Sequence, residues 1–264
     1  MKIEIDFTKS IQENADDYYA LSKKSKKKLN GLDAGVREVE RKLIKQKKDG
    51  PKKKNLVKKR ERKWFEKFHW FFTSEGFLVI AGKDAKTNEV IVKKLMEKND
   101  VYFHADIHGA PHTVLKTEGK TPGDISKKEA AIFAAIFSKA WREQLSAVDV
   151  YSAKPEQVTK SAPSGESLGT GAFMVYGKRE WFKKTPLEFS IGLTKGTDHF
   201  LSSGPISAVS KNSEYSIQLF FGNNSKGDTS KLLKKIFYDK SNFSASLDDI
   251  VALLPSGGFS IKKS

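Results

Sequence analysis

VYFHADIHGA, residues 101–110, decides how this chain is read. Val101, Phe103, Ala105 and Ile107 alternate with Tyr102, His104, Asp106 and His108. In a strand this spacing puts the apolar set on one face and a phenol, two imidazoles and a carboxylate on the other. Gly109 follows, where a turn or a close backbone approach needs no side chain. Three chemistries compete for the polar face: a metal site, an acid/base site, or a surface for phosphate and sugar. His104, Asp106, His108 and His112 offer up to four ligands in nine residues, and neutral imidazoles with a carboxylate suit zinc or another divalent ion. Same-face strand positions stand roughly 6.5–7 Å apart, however, so convergence on one ion requires bending. Acid/base work lacks an activated nucleophile or an oxyanion-binding loop nearby. The plainer alternative has Asp106 capping backbone amides and the histidines forming a polar surface.

Around this stretch, from about Phe71 onward, short alternating runs are split by turn residues. FFTSEGFLVIAG reads as a hairpin around Ser74-Glu75-Gly76, KTNEVIVKKLM as a short helix, and VYFHA and HTVLKT as two strands flanking the histidine loop. Ser126 with Glu129 reads as a capping box that opens a helix burying Phe133, Ile136, Phe137, Ala140 and Trp141. Further strands are expected at Val148–Ser152, Phe173–Tyr176, Leu187–Ile191, Ile206–Val209 and Tyr215–Phe220. Helices are expected over Lys231–Phe237 and Asp248–Leu254. The fold class is α+β.

The amino-terminal quarter has a different texture. Apolar or small residues recur in steps of four and three at Ile11, Ala15, Tyr18, Ser22, Ser25, Leu29, Leu32, Val36, Val39 and Leu43, which is a coiled-coil seam. Gly31 costs roughly 1 kcal/mol against alanine, so a kink near Asn30 and Gly31 is expected, dividing the helix in two. Asp49-Gly50-Pro51 supplies a stop. Val57, Trp64, Phe68 and Phe71 then continue the pattern, predicting a second helix that returns antiparallel to the first. The expected organisation is a basic coiled-coil hairpin over 1–69, an α+β domain over 70–195, and an α+β extension or subdomain over 196–264.

Composition supports a polyanion as partner. Of the +16 formal charge on 264 residues, residues 1–63 hold 21 basic and 10 acidic side chains, hence +11. Lys26, Lys27 and Lys28 lie on the flank of the predicted hairpin, and Lys52, Lys53 and Lys54 near its tip, where an arm would meet RNA phosphates. A lysine-rich solvated surface is the bland alternative. The absence of cysteine excludes disulfides and thiolate metal sites and fits a cytoplasmic chain. No run approaches eighteen apolar residues and no signal-peptide core opens the chain, so no membrane partner is expected. The glycine-bearing run SAPSGESLGTGAF, residues 161–173, fails the phosphate-loop test, having neither GK[ST] after a four-residue spacer nor GxGxxG opening a helix. Its backbone amides, with Lys160 and Lys178 at either end, can still hold a nucleic-acid phosphate. Trp64, Phe65 and Trp70, at helical spacing, are read as packing between hairpin and body rather than as base-stacking rings.

Taken in order, WFEKFHWFFTSEGFLVIAGKDAKTNE, HADIHGA and VTKSAPSGESLGTGAFMVYGK closely resemble the NFACT family, over roughly residues 64–178. This region looks like the family's RNA-binding domain, residues 8–63 are similar to its middle coiled coil, and the LLPSGG ending resembles tails of archaeal-type members. The resemblance implies a non-enzymatic module of ribosome-associated quality control, without a cofactor. It would dock on large ribosomal subunits obstructed by peptidyl-tRNA and contact rRNA or tRNA. The RNA-facing positions it implies are Lys83, Asp84, Asn88 and Glu89, then His104, Asp106, His108 and Gly109, then Lys160, Ser161 and Gly165. Asp84 and Gly165 have a structural alternative, a helix cap and a turn. The family's large amino-terminal domain has no counterpart in these residues, which are either a piece of a longer protein or one half of a split one with a separate chain carrying that domain as partner; no catalytic residue is carried over. A metal-dependent hydrolase centred on His104, Asp106 and His108, and a coiled-coil scaffold pairing with another protein or a second copy, are the competing readings.

Overall fold

The computed structural model describes residues 4–48, 62–161, 167–196 and 199–261. It divides into two units, residues 1–61 and 62–264.

In the first unit, α1 runs without interruption from Ile11 to Lys48. The Glu13 amide donates to Ser10 Oγ at 3.2 Å and the Ser10 amide to Glu13 Oε2 at 2.8 Å, a capping box. ENADDYY ties the preceding segment onto the first turns. Asn14 Oδ1 accepts from the Asp6 amide at 2.9 Å, and the Tyr18 hydroxyl donates to the Glu4 carbonyl at 2.7 Å. The expected kink is absent. Gly31 lies in unbroken helix, where its cost in propensity is spread over ten turns of hydrogen bonding. Leu29, Leu32, Val36 and Val39 of the seam are each more than half exposed. The expected stop at Asp49-Gly50-Pro51 and the expected return through Val57 lie outside the described residues. Further on, the expected continuation of a second helix through Trp64 to Phe71 is corrected. Trp64–Lys67 is a single 3-10 turn, and Phe71 lies in a strand rather than in a second helix.

The second unit is α+β. Strands β1 (His69–Phe72) and β2 (Leu78–Ala81) form the hairpin around Ser74–Gly76. The short α2 (Ala85–Val90) leads through a π turn, Ile91–Leu95, to β3 (Val101–Ala105) and β4 (Thr113–Lys116). After α3 (Asp124–Ile136) and α4 (Lys139–Arg142) come β5 (Ala147–Ala153), the small pair β6 (Val158–Thr159) and β7 (Met174–Val175), and β8 (Glu180–Pro186). The main sheet has the order β1-β2-β4-β3-β5-β8, every pairing antiparallel. A second sheet, β10-β9-β11-β12, is built from β9 (Phe189–Thr194), β10 (Leu201–Pro205), β11 (Ser213–Asn224) and β12 (Phe259–Ile261). It is accompanied by α5 (Ile206–Asn212), α6 (Lys226–Ser241) and α7 (Leu247–Leu253). Ile206–Val209, expected as a strand, belongs to α5; a short apolar run does not by itself distinguish the two.

Alternation places the main sheet between two cores. Val79, Phe103, Ala105 and Leu115 face one core, shared with α3 and with Phe189, Leu219 and Phe259 of the second sheet. Leu78, Ile80, Tyr102 and Val114 face the other, with Phe65, Phe68, Trp70 and Ile91. Phe65 and Trp70 therefore pack inside this unit, while Trp64 stays 51% exposed. The expected capping box is also corrected. Gly123 caps α3, and buried Glu129 accepts from the Ser74 amide at 2.7 Å and from the Ser207 hydroxyl at 2.7 Å. Its carboxylate thus ties the β1–β2 turn to α5.

Candidate nucleic-acid interface

The three motifs meet around Gly171. Asp84 caps α2, accepting from the Thr87 amide at 2.8 Å, and these donations hold its carboxyl below the ordinary range. From α2, Asn88 Oδ1 accepts from the His112 amide at 3.1 Å. Glu89 accepts from Lys93 Nζ at 2.6 Å, Lys160 Nζ at 2.9 Å and the Gly171 amide at 2.7 Å. Lys160 also donates to the carbonyls of Gly169 and Ala172, at 2.8 and 3.1 Å, and lies over the Phe173 ring. Gly171 has φ +77°, and a Cβ there would sit 2.6 Å from the Ala85 carbonyl oxygen, so only glycine fits. Its own carbonyl accepts from His112 Nε2 at 2.8 Å. That leaves His112 Nδ1 as an acceptor, and the Tyr102 hydroxyl donates to it at 2.5 Å.

His112 is buried and neutral. Desolvation, helped by His104 5.2 Å away, pushes its pKa down to about 4, and burial does the same to His104. The Glu89 pKa also falls, but here the lowering favours the charged form: Lys93, the Gly171 amide and Lys160 lower it from 4.5 to about 2. Because its folded pKa is depressed, the stabilisation is complete above pH 4.5 and is lost as pH falls towards 2. Glu89→Gln is therefore expected to lower the urea midpoint at pH 7, with the gap to wild type closing between pH 4.5 and 2. A constant gap across that window would contradict the assignment.

The strand through HADIHGA ends at Ala105, which corrects the expected face of four polar side chains. Tyr102 and His104 turn into the second core, whereas Asp106 and His108 stand exposed in the turn beyond it. The Asp106 amide donates to the Asp149 carbonyl at 2.8 Å. Gly109 has φ +76°, and a Cβ there would press on the Lys139 side chain at 2.8 Å. His108 Nδ1 is 3.4 Å from Lys139 Nζ. With both His112 nitrogens engaged, His108 beside an ammonium and the strand ended, the four candidate ligands of the competing metal reading do not converge. Among the described residues no group of three or more His, Cys, Asp or Glu side chains is placed to hold a metal.

Other expected positions are open to solvent. Lys26, Lys27 and Lys28 are exposed on α1, and Ser161 and Lys178 are exposed at the two ends of the third motif. Lys52, Lys53, Lys54 and Gly165 lie outside the described residues. Lys83 is lowered by partial burial and by Arg62, and Lys226, at the start of α6, by burial and by Lys83. Cations crowded in this way are stabilised by an approaching polyanion. The sequence reading missed β8. Just before it Arg179 stacks on the Tyr151 ring at 4.5 Å, and within it Lys183 Nζ lies over the Trp181 ring, 4.1 Å from its centre. The available signal was KREWFKK, in which Arg179, Trp181 and Lys183 fall at period two.

A two-layered α+β unit with basic, aromatic edges is the kind of surface that binds nucleic acid. Residues 67–177 match the family described as NFACT protein RNA binding domain. The archaeal Rqc2 homolog aRqcH of Methanocaldococcus jannaschii is 44% identical over 206 residues, covering 78% of this chain and 30% of that protein. The ribosome quality control complex subunit NEMF homolog of Drosophila melanogaster is 36% identical over 72% of this chain and 20% of its own length. Human ribosome quality control complex subunit NEMF is 37% identical over 64% of this chain and 16% of its own. This chain belongs to the NFACT family, and it spans less than a third of the length of these relatives.

Proposed function

We propose that this chain is an RNA-binding and ribosome-binding module of ribosome-associated quality control. It docks on obstructed large ribosomal subunits carrying peptidyl-tRNA and holds rRNA or tRNA phosphates with exposed lysines. It works in the cytoplasm, by binding rather than turnover. The observation that carries this reading is the RNA binding domain match over residues 67–177, joined to relatives named as ribosome quality control subunits. Lys26, Lys27 and Lys28, exposed on α1, supply a phosphate contact of the required sign. Among the described residues no helix is long and apolar enough to cross a membrane.

The test is crosslinking of the chain to purified large subunits with and without peptidyl-tRNA. Reversing the three charges with Lys26→Glu, Lys27→Glu and Lys28→Glu is expected to lower the yield severalfold. Each lost phosphate contact should also flatten the dependence of log affinity on log salt by about 0.7 to 0.9. An unchanged yield would move the contact to the histidine loop. A complex insensitive to salt would refute a phosphate-based interface.

A further inference from the structure

The edge of the main sheet carries an ordered aromatic row. His104 lies 5.8 Å from Tyr151, and Tyr151 lies edge-on to Trp181 at 5.3 Å and 61°. Tyr151 and Trp181 are direct cross-strand partners of β5 and β8. Tyr151 is only 7% exposed and acts as a buried backstop, whereas Trp181 remains 40% exposed. A large ring left in water, yet fixed by a neighbouring strand and by Lys183, loses little entropy when something flat is laid on it.

The occupant follows from what surrounds the ring. β8 ends the sheet, so its outer edge is a possible template for an added peptide strand. Two features spoil that template. Lys184 has φ +50° and donates its amide to Asp149 Oδ1 at 2.7 Å, at a register break between Val148 and Val150. Glu180, Lys183 and Lys184 also place charges along the edge, and charged, bulged edges resist strand addition. Cations flank the ring on both sides, Lys178 and Arg179 before it and Lys183 and Lys184 after it. Glu180 is shared with Lys127 at 3.8 Å and Asp149 with Lys183 at 2.8 Å. Lys178 and Lys184 have no ion pair among the described residues. Arg179 to Lys183 spans four strand residues, roughly 13 Å. Lys183 Nζ lies over the Trp181 ring at 4.1 Å, so a base stacking on that face takes the place of the ammonium, which then meets the adjoining phosphate. A half-exposed ring with such cations at hand fits an unpaired base with its neighbouring phosphates.

We propose that Trp181, backed by Tyr151 and flanked by Arg179 and Lys183, is a stacking platform for an unpaired nucleobase of single-stranded RNA. The proposal rests on the RNA-binding reading above and deepens it by naming the form of RNA taken. Stacking is tolerant of base identity, so oligouridylate and oligoadenylate should both bind.

The experiment measures fluorescence anisotropy of labelled oligouridylate, oligoadenylate and a blunt RNA hairpin against the full chain at several salt concentrations. Trp181→Ala is expected to weaken both single strands at least fivefold at fixed salt, with the salt slope unchanged. Trp181→Phe should recover most of that loss, and Arg179→Ala should reduce the slope by about 0.7. Thermal unfolding verifies that the variants are folded. Three results would overturn the proposal: Trp181→Ala binding as wild type does, an equal loss on the hairpin, or Trp181→Phe behaving like alanine. If any of these occurs while charge reversal at Lys26, Lys27 and Lys28 still lowers ribosome crosslinking, the platform falls and the functional reading stands. If the wild-type chain binds neither RNA nor ribosomes, both fall.

Discussion

Acidification from pH 7 to pH 4 is expected to remove up to about 3 kcal/mol of stability from residues 62–264 through His112 alone. The folded pKa of about 4 lies below the ordinary 6.5, because burial, His104 and Lys160 all disfavour the imidazolium. The unfolded chain therefore takes up a proton first as pH falls. The stabilisation is complete above about pH 6.5, declines through the interval down to 4, and is spent below it. Geometry explains why the neutral form is required. A second proton on Nδ1 would face the Tyr102 hydroxyl and leave that buried donor without an acceptor, while Nε2 must keep its own proton for Gly171. His104, also lowered to about 4, titrates in the same interval. Against a typical total of about 5–15 kcal/mol the loss is large. Urea unfolding at pH 7, 6, 5 and 4 would measure it. His112→Asn should flatten the pH dependence by about one proton, whatever its effect on stability at pH 7. A wild-type stability that does not change over this interval would show that the histidine is not held neutral. The Glu89 effect falls at lower pH, so the two can be separated.

Much of the second unit was legible because its signals are local. Gly76 in the hairpin turn, the short β-branched apolar runs LVIA and TVLK, and the Asp84 cap each depend on a few adjacent residues. Misreadings fall where a distant partner intervenes. Ser126 and Glu129 have capping-box spacing, but the β1–β2 turn, some fifty residues earlier, recruits both: Ser126 donates to Thr73 Oγ1 and Glu129 accepts from Ser74. The run from Trp64 to Phe72 has aromatics that fit a helical step and an alternating one equally, and pairing with β2 selects the strand. The site divides in the same way. HADIHGA announced itself by its residue types, yet Asn88, Glu89 and Lys160, implied as RNA-facing, are engaged in joining segments separated by up to 82 residues. β8 went unread because an edge strand dominated by charge lacks the apolar alternation that marks a strand from sequence.

Asp100→Ala is expected to cost about 3–5 kcal/mol, the loss typical of a buried ion pair broken from one side. Asp100 and Lys116 have side chains only 1% and 8% exposed and meet at 2.5 Å. The carboxylate also accepts from the Glu97 amide at 2.8 Å and the Thr117 amide at 2.9 Å, while Lys116 Nζ donates to the Leu95 carbonyl at 2.7 Å. Removing the carboxylate leaves two amides without a partner and leaves the ammonium only the Leu95 carbonyl and the exposed Glu97 carboxylate, 3.4 Å away. For a unit of this size the unfolding temperature should fall by roughly 6–20 °C. The pair is not expected to be irreplaceable: Asp100→Leu combined with Lys116→Met removes both charges and should recover much of the loss, because the desolvation cost of the ions disappears with their attraction. A double variant as unstable as Asp100→Ala would instead assign the effect to the two amide hydrogen bonds. The location links stability to the interface. Asp100 immediately precedes β3, and Lys116 ends β4, so together they fasten the base of the two strands whose far ends carry His104 and His112. Below its unfolding temperature the alanine variant should still bind RNA, since neither side chain lies on the exposed edge. Weakened binding in the folded variant would mean that the strand base also sets the geometry of the histidine loop.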